Sequence, residues 1–541
     1  MIKKSIIFTL IVLDSYSIHA SVNVDEQNKK ITNNINDSLN VGQKNDASVL
    51  FDSVSVNIKD YFSIATCGGN SSQCTNKSLK AEANINNSAT VGASVTIIGD
   101  AAKGVLNIND SSKLYTQQLW VSGNDNDINN NATNDDSNGK LLINNNSKVY
   151  VVSSQDQSPF NNDNIRWNNT IVNSNNNING SNKAVAGDLV LGKTGNGIIE
   201  VKDSSELDVS HDLIVSTGVD GAPNTKASTI DIDSKSNVTV NGDMLGGVSA
   251  SGKLSLTMKT ASNMNVMGNV SVGTGNKSDI SVAMSDKSVM HVGNNFDIAT
   301  GSNSVATLTI DDSKLSVNGS SSIGSGNDSR TKANLTNGAT ISGTKDINIA
   351  EGDSTHVDMA INNSSLTTDG ALSIGSGNNS EVIMAGGRAN VTSRGQLLVA
   401  KGDGAHATLD YTSSELTTGS AVIASGNNAT ADVELEQSSF TSNGDMTIGQ
   451  GTGTTTTLTL NNKSQVNARG AMSVAKGDGA HATLDYTSSE LTTGSAVIAS
   501  GNNATADVEL KQSSFTSNGD MIIGQGTGTT TTLTLNNKSQ V

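Results

Sequence analysis

The sequence predicts an all-β fold, a right-handed parallel β-helix (a solenoid) of about 17 coils, each of roughly 25 residues and three short strands. Three observations lead there. Lys401–Val466 returns 75 residues later as Lys476–Val541, changed only where Glu436 becomes Lys511 and Thr447 becomes Ile522. A copy this close needs a structural unit that tolerates repetition without redesign, and a solenoid repeat does, because it touches only its neighbours. Within that block Gly395, Gly419, Gly444, Gly470, Gly494 and Gly519 recur 24 to 26 residues apart in equivalent contexts, three units per block. Finally, one unit, Thr456–Gly479, carries three short period-2 runs (Leu458 and Leu460, then Val466, then Met472 and Val474). Asn, Gly, Ser and Asp turn chemistry separates them. No run combines helical spacing with helical length. The few aliphatics of one coil cannot offset the entropy of ordering it, so each coil depends on the coils above and below.

Met1–Ala20 opens the chain with Lys3 and Lys4, an apolar stretch Ile6–Leu13 and a small-residue cleavage site at Ala20. That is the grammar of a secretory signal peptide, and the stretch is far too short to span a bilayer. Residues 21–83 read as a less regular lead-in that caps the solenoid, with strands around Val49–Phe51 and Val54–Val56. Cys67 and Cys74 are the only cysteines, and in an exported chain this close pair is expected to close a small disulfide loop. The β-helix runs from residue 84 to 541. Asn-rich loops at 124–139 and 154–183 bulge from it, and the ladder then steps through Gly187, His211, Gly242, Gly268, Gly293, Gly319, Gly343 and Gly370 to the duplicated block, residues 391–541. One strand spacing per coil gives a rod of roughly 80 Å.

The chain has 541 residues, a formal net charge of −17, 53 glycines, 2 prolines and 3% aromatics. Sparse apolar residues (34%) would suggest disorder, but here they are strictly periodic, which favours order. The acidic balance and five arginines argue against nucleic acid and against an anionic membrane surface as partners. No other apolar run is long enough for a membrane-spanning segment.

The recurring phrases ATLTIDDSKLSVNGSSSIGSGN (Ala306–Asn327) and DMAINNSSLTTDGALSIGSGN (Asp358–Asn378) resemble passenger repeats of bacterial autotransporters of type V secretion, the pertactin-like and AIDA-like adhesin group. The resemblance covers about Asn84 to Val541. It implies a Gram-negative protein exported through the periplasm and folded outside the outer membrane, at the cell surface or released. Its expected partners are host or bacterial surface ligands, or copies of itself. The family ends in an outer-membrane β-barrel. This chain shows no such strands and reaches Val541 mid-coil, at the position equivalent to Val466, so the reading expects a truncated or incompletely read gene.

Residues that could carry chemistry are few. Gly352-Asp353-Ser354 approaches the Gly-Asp-Ser-Gly of serine-protease autotransporters, but Thr355 follows. His356, His406 and His481 fall in related columns, and a pair three coils apart would be about 14 Å apart, too far to share a metal. The KGDG turns Lys401–Gly404 and Lys476–Gly479, and Asp311-Asp312, read as turns. No catalytic residue, metal ligand or cofactor is expected. Outward hydroxyls, chiefly Thr454, Thr455, Thr456 and Thr457 with Thr529, Thr530, Thr531 and Thr532, suggest a self-association face, and the Asn-rich loops suggest receptor contact. The expected function is therefore non-enzymatic adhesion or self-aggregation. The alternatives are a secreted β-helix enzyme acting on polysaccharide, or a stalk for a domain encoded beyond residue 541.

Overall fold

The computed structural model describes residues 21–65, 79–100, 102–123, 138–154, 160, 177–179, 182–193, 195–218 and 226–541. It is all-β, a parallel β-solenoid. Three strand columns run along it. In one coil Lys253–Met258, Asn263–Val266 and Val270–Val272 pair in parallel with Asp279–Met284, Val289–Val292 and Phe296–Ile298 of the next. The second and third strands fuse in some coils, as in Asn390–Val399 and Gln465–Val474. A register shift marks the joint in each, between Ser393 and Gln396 and between Ala468 and Ala471, where Gly395 and Gly470 lie.

Among the described residues, from Lys80–Asn86 to Thr530–Asn536, the first column holds seventeen strands. The parallel stack also extends through the lead-in: Lys29–Lys30 pairs with Ala47–Asp52, and Ala47–Asp52 with Lys80–Asn86. Asn138 and Gly139, expected at the end of a loop, instead open the strand Asn138–Ile143. The rest of that loop (124–137), residues 1–20, and Cys67 and Cys74 lie outside the described residues. Of the second loop, Asn177–Asn179 and Asn182–Lys183 form a short antiparallel pair.

Period-2 patterning becomes an inside and an outside. One inward column runs Leu256, Val282, Leu308, Ala333, Met359, Met384, Leu409, Val433, Leu458, Leu484 and Val508, each in register with the next. All are at most 2% exposed, so every coil contributes one rung to a continuous core. Tyr411 and Tyr486 also point inward. Tyr411 follows Gly386 in register, and a Cβ on Gly386 would collide with the Ile361 carbonyl. Neither hydroxyl has a hydrogen-bond partner among the described residues, and burial pushes both phenols far above their usual range.

Polar turns are stitched coil to coil. At one corner an Asx ladder runs upward. Asn327 Oδ1 accepts the Asp353 N–H at 3.0 Å, Asp353 Oδ1 that of Asn378 at 2.9 Å, and Asn378 Oδ1 that of Asp403 at 3.1 Å. Asp403 Oδ1 then accepts from Asn427 at 2.8 Å, and Asn427 Oδ1 from Thr452 at 3.2 Å. At another corner buried serines do the same work: the Ser414 N–H donates to Ser438 Oγ (2.9 Å) and the Ser438 N–H to Ser464 Oγ (3.1 Å). These contacts satisfy backbone donors that leave the strand ladder at each turn.

Two glycine columns let the turns stack. Gly395, Gly419, Gly444, Gly470, Gly494 and Gly519 form the first. Their requirement is close approach rather than left-handed backbone: a Cβ on Gly395 would sit 2.7 Å from the Gly370 carbonyl, and one on Gly519 2.9 Å from Gly494 O. The second column is tighter. Gly275, Gly301, Gly326, Gly352, Gly377, Gly402, Gly426, Gly451, Gly477, Gly501 and Gly526 stack without a break, and from Gly301 onward a Cβ would collide with the preceding glycine's carbonyl.

Gly426→Ala should therefore destabilise the surrounding coils by at least about 2 kcal/mol, whereas Gly387→Ala, with no atom nearer than 3.9 Å, should stay within about 0.5 kcal/mol. Hydrogen exchange of the flanking coils measures both, since a solenoid need not melt as one unit. Tyr411→Phe removes an unpaired buried hydroxyl and should stabilise by about 1 kcal/mol on the same readout.

Candidate functional site

Strands that face solvent on their outer side should alternate, as Val270–Val272 (VSV) and Phe296–Ile298 (FDI) do. Several third-column strands do not. Leu119-Trp120-Val121, Leu189–Leu191 and Leu213–Val215 are apolar and buried at every position, whereas in Leu397-Leu398-Val399 and Ala496-Val497-Ile498, equally apolar, the middle residue is only half-buried. Continuous apolar runs signal strands covered on both faces. Ile97, Trp120, Val190 and Ile214 stack in register on the outer face. With Val95 and Ala184 they form a second, smaller core outside the solenoid, against which Tyr61, Leu245 and Val248 pack. Trp120 is 1% exposed.

The chain returning from the 154–183 segment is fastened to this patch. Ala184 is buried in it, and the Val185 carbonyl accepts the Gln118 side-chain amide at 3.2 Å. The Trp120 indole N–H donates to Gln118 Oε1 at 3.3 Å, and the Lys193 ammonium lies 5.5 Å from the Trp120 ring centre. Asp188 closes the turn. Its Oδ2 accepts the Val185 N–H at 2.7 Å, its Oδ1 accepts the Asp212 N–H at 3.1 Å, and His211 Nδ1 lies 2.6 Å from Oδ1.

His211 occupies the glycine column, between Gly187 and Gly242, where its glycine neighbours leave the imidazole uncovered. Asp212 Oδ2 is 3.5 Å from the same Nδ1. Burial pushes the Asp188 carboxyl above its usual range despite these partners. For His211 burial alone would lower the imidazole, but hydrogen bonding to Asp188 and the charges of Asp188, Asp212 and Asp243 outweigh it, and the net shift is upward. Asp188, His211 and Asp212 bring three possible metal-ligand atoms within 4.8 Å of one another, the one such group among the described residues.

The residues singled out from sequence are placed differently. Asp353, Asp403 and Asp478 are Asx-ladder members whose carboxylates accept next-coil N–H groups, and Ser354 sits in a left-handed turn at φ 54°. His356, His406 and His481 all open first-column strands. His356 pairs with Glu381 at 2.9 Å and Asp358 at 3.2 Å, and Glu381 separates it from His406. Among the threonines the face divides: Thr454 and Thr456 turn inward and are buried, while Thr455 and Thr457 point outward. Thr530 and Thr532 are exposed, and Thr529 and Thr531 half-buried, on the last described coil. Sequence reasoning missed the outer apolar patch; the LWV, LVL and LIV runs are a weak local signal of it, shared with strands such as Leu397-Leu398-Val399.

The chain is 54% identical over 346 residues to the uncharacterized protein YuaO of Escherichia coli (strain K12). The match takes in 64% of this chain and 20% of the relative, so the chain spans about a fifth of the curated relative it matches. No family model matches, and no solved structure does.

Because pairing raises His211, the latch stabilises the fold fully below the ordinary imidazole value of 6.5, and that contribution is lost as pH rises through the raised value. The raised Asp188 has the same sign, its contribution fading above the ordinary 3.8. Protection of the Val185 amide, corrected for intrinsic exchange, should therefore fall as pH is raised above 6.5. In His211→Gln it should be flat over that window.

Proposed function

We propose that the chain is the passenger portion of an autotransporter, a non-enzymatic rod displayed at or released from the surface of a Gram-negative bacterium, acting in adhesion or self-aggregation. The observation that carries this reading is the division of labour along the coil. Most aliphatics line the continuous inner core, ladder side chains fill the turns, and beyond the small outer cluster around Trp120 what is left for partners is a long outward sheet of hydroxyls and carboxylates. The repeat grammar of 306–378 supports the passenger assignment, and a relative from Escherichia coli supports the Gram-negative setting. Ligands would be host or bacterial surface groups, or a second copy of the chain.

The outward first-column face of the duplicated block is the strongest place for self-association. Thr455 and Thr457 lie there between the coil of Thr430, Asp432 and Glu434 and that of His481, Thr483 and Asp485. The face is flat, so many weak hydrogen bonds can form at once, each contributing about 1 kcal/mol. Its carboxylates oppose close approach of a like face, and salt screens that repulsion over about 8–10 Å. The alternation of Thr454 to Thr457 decides which substitutions test the face without harming the core.

Cells displaying the full chain should settle faster at 150 mM salt than at 10 mM, roughly as far as screening reaches. Thr455→Glu with Thr457→Glu should reduce sedimentation several-fold, with unchanged circular dichroism. Equal settling by parent and variant at both salt levels would remove this face from the function, and absent adhesion to any cell surface as well would remove the adhesin reading.

A further inference from the structure

We infer that Asp188, His211 and Asp212 form a binding site for a divalent transition-metal ion of the zinc class, set at the root of the 154–183 segment. The donor set is one imidazole nitrogen and two carboxylates, which suits such an ion better than calcium or magnesium, whose sites are built of oxygen alone. Metal bonds of 2.0–2.1 Å at a tetrahedral angle place ligand atoms about 3.3 Å apart. His211 Nδ1 and Asp212 Oδ2 already stand 3.5 Å apart. His211 Nδ1 and Asp188 Oδ1, at 2.6 Å, now share a proton, and exchanging that proton for the ion requires them to part by less than about 1 Å.

The carboxylates are held from behind, as metal ligands commonly are. Both Asp188 oxygens accept backbone N–H groups, from Val185 and Asp212, and the residue is 2% exposed, so its position is fixed by the fold. Asp212 Oδ1 accepts the Asp243 N–H at 2.8 Å, which leaves Oδ2 directed at His211. The glycines on either side of His211 keep the imidazole open, and its side chain is 48% exposed, so water can complete a fourth position. Two carboxylates facing one imidazole also leave negative charge that a divalent ion neutralises. The site differs from the His356 pairings, where Glu381 and Asp358 take opposite nitrogens of the ring and cannot converge on one ion.

Once bound, the ion would tie Asp188, and through it the Val185 turn, to His211 and Asp212 of the next coil.

The test uses the full chain stripped with a chelator and titrated with Zn²⁺ alone, by calorimetry and by Trp120 fluorescence in a Trp167→Phe background. Val190 and Ile214 link Trp120 to the site through packing. One saturable site is expected, with fluorescence and heat saturating together. His211→Gln can still hydrogen-bond Asp188 but does not replace the imidazole as a metal ligand, and it should weaken binding at least tenfold. Asp212→Asn preserves the acceptor for the Asp243 N–H and should weaken it similarly, and His406→Ala should change nothing. Saturation in the parent that survives His211→Gln, or no Trp120-linked saturation in the parent, would overturn the site.

Discussion

Everything in this molecule follows from stacking one coil on the next at the spacing of a β-sheet, about 4.8 Å. At that distance the environment of a residue is set by its equivalents one coil away, in register, for the length of the rod. An inward position must match its neighbours in polarity, while volume can be shared between coils: small Ala333 is followed by the flexible Met359 and Met384 without interrupting the column. A turn position must either offer an acceptor to the N–H above it or carry no side chain at all. The Asx, serine and glycine columns are three answers to one steric and hydrogen-bonding problem.

That constraint explains what was legible in the sequence. Period-2 runs and a repeat near 25 residues identify a parallel solenoid because few other architectures use them together, and among the described residues seventeen first-column strands follow from residue 80 onward. The Gly395 to Gly519 series was visible as punctuation, but its cause was not, since close approach and left-handed backbone look alike in one dimension. The tighter Gly275 to Gly526 series hid inside varied turn phrases such as SGN and KGDG. Thr454 to Thr457 shows the complementary difficulty. Four identical residues carry no alternation of their own, so only the placement of Leu458 and Leu460 reveals which of them face inward.

The outer patch around Trp120 was less legible because it depends on a contact with residues far along the chain. Ala184 and Val185 reach it across 64 or more positions, and only the local absence of alternation hints that something lies on top. Its polar edge, Asp188 with His211 and Asp212, draws on two successive coils and a glycine column that has admitted a histidine. One substitution in an otherwise repetitive ladder is enough to give a uniform rod a distinct address, and it lies where a long excursion leaves and rejoins the solenoid.

The Asx ladders have a consequence for how the sequence of the rod can vary. In Asn327, Asp353, Asn378, Asp403 and Asn427 it is the side-chain Oδ1 that accepts from the next coil, and asparagine and aspartate already alternate. A substitution of asparagine by aspartate at such a position keeps the Oδ1 acceptor and adds a negative charge to the rod's exterior. The ladder can therefore tolerate drift in surface charge from coil to coil, except where the amide also donates, as Asn427 does to Asp403 at 3.2 Å.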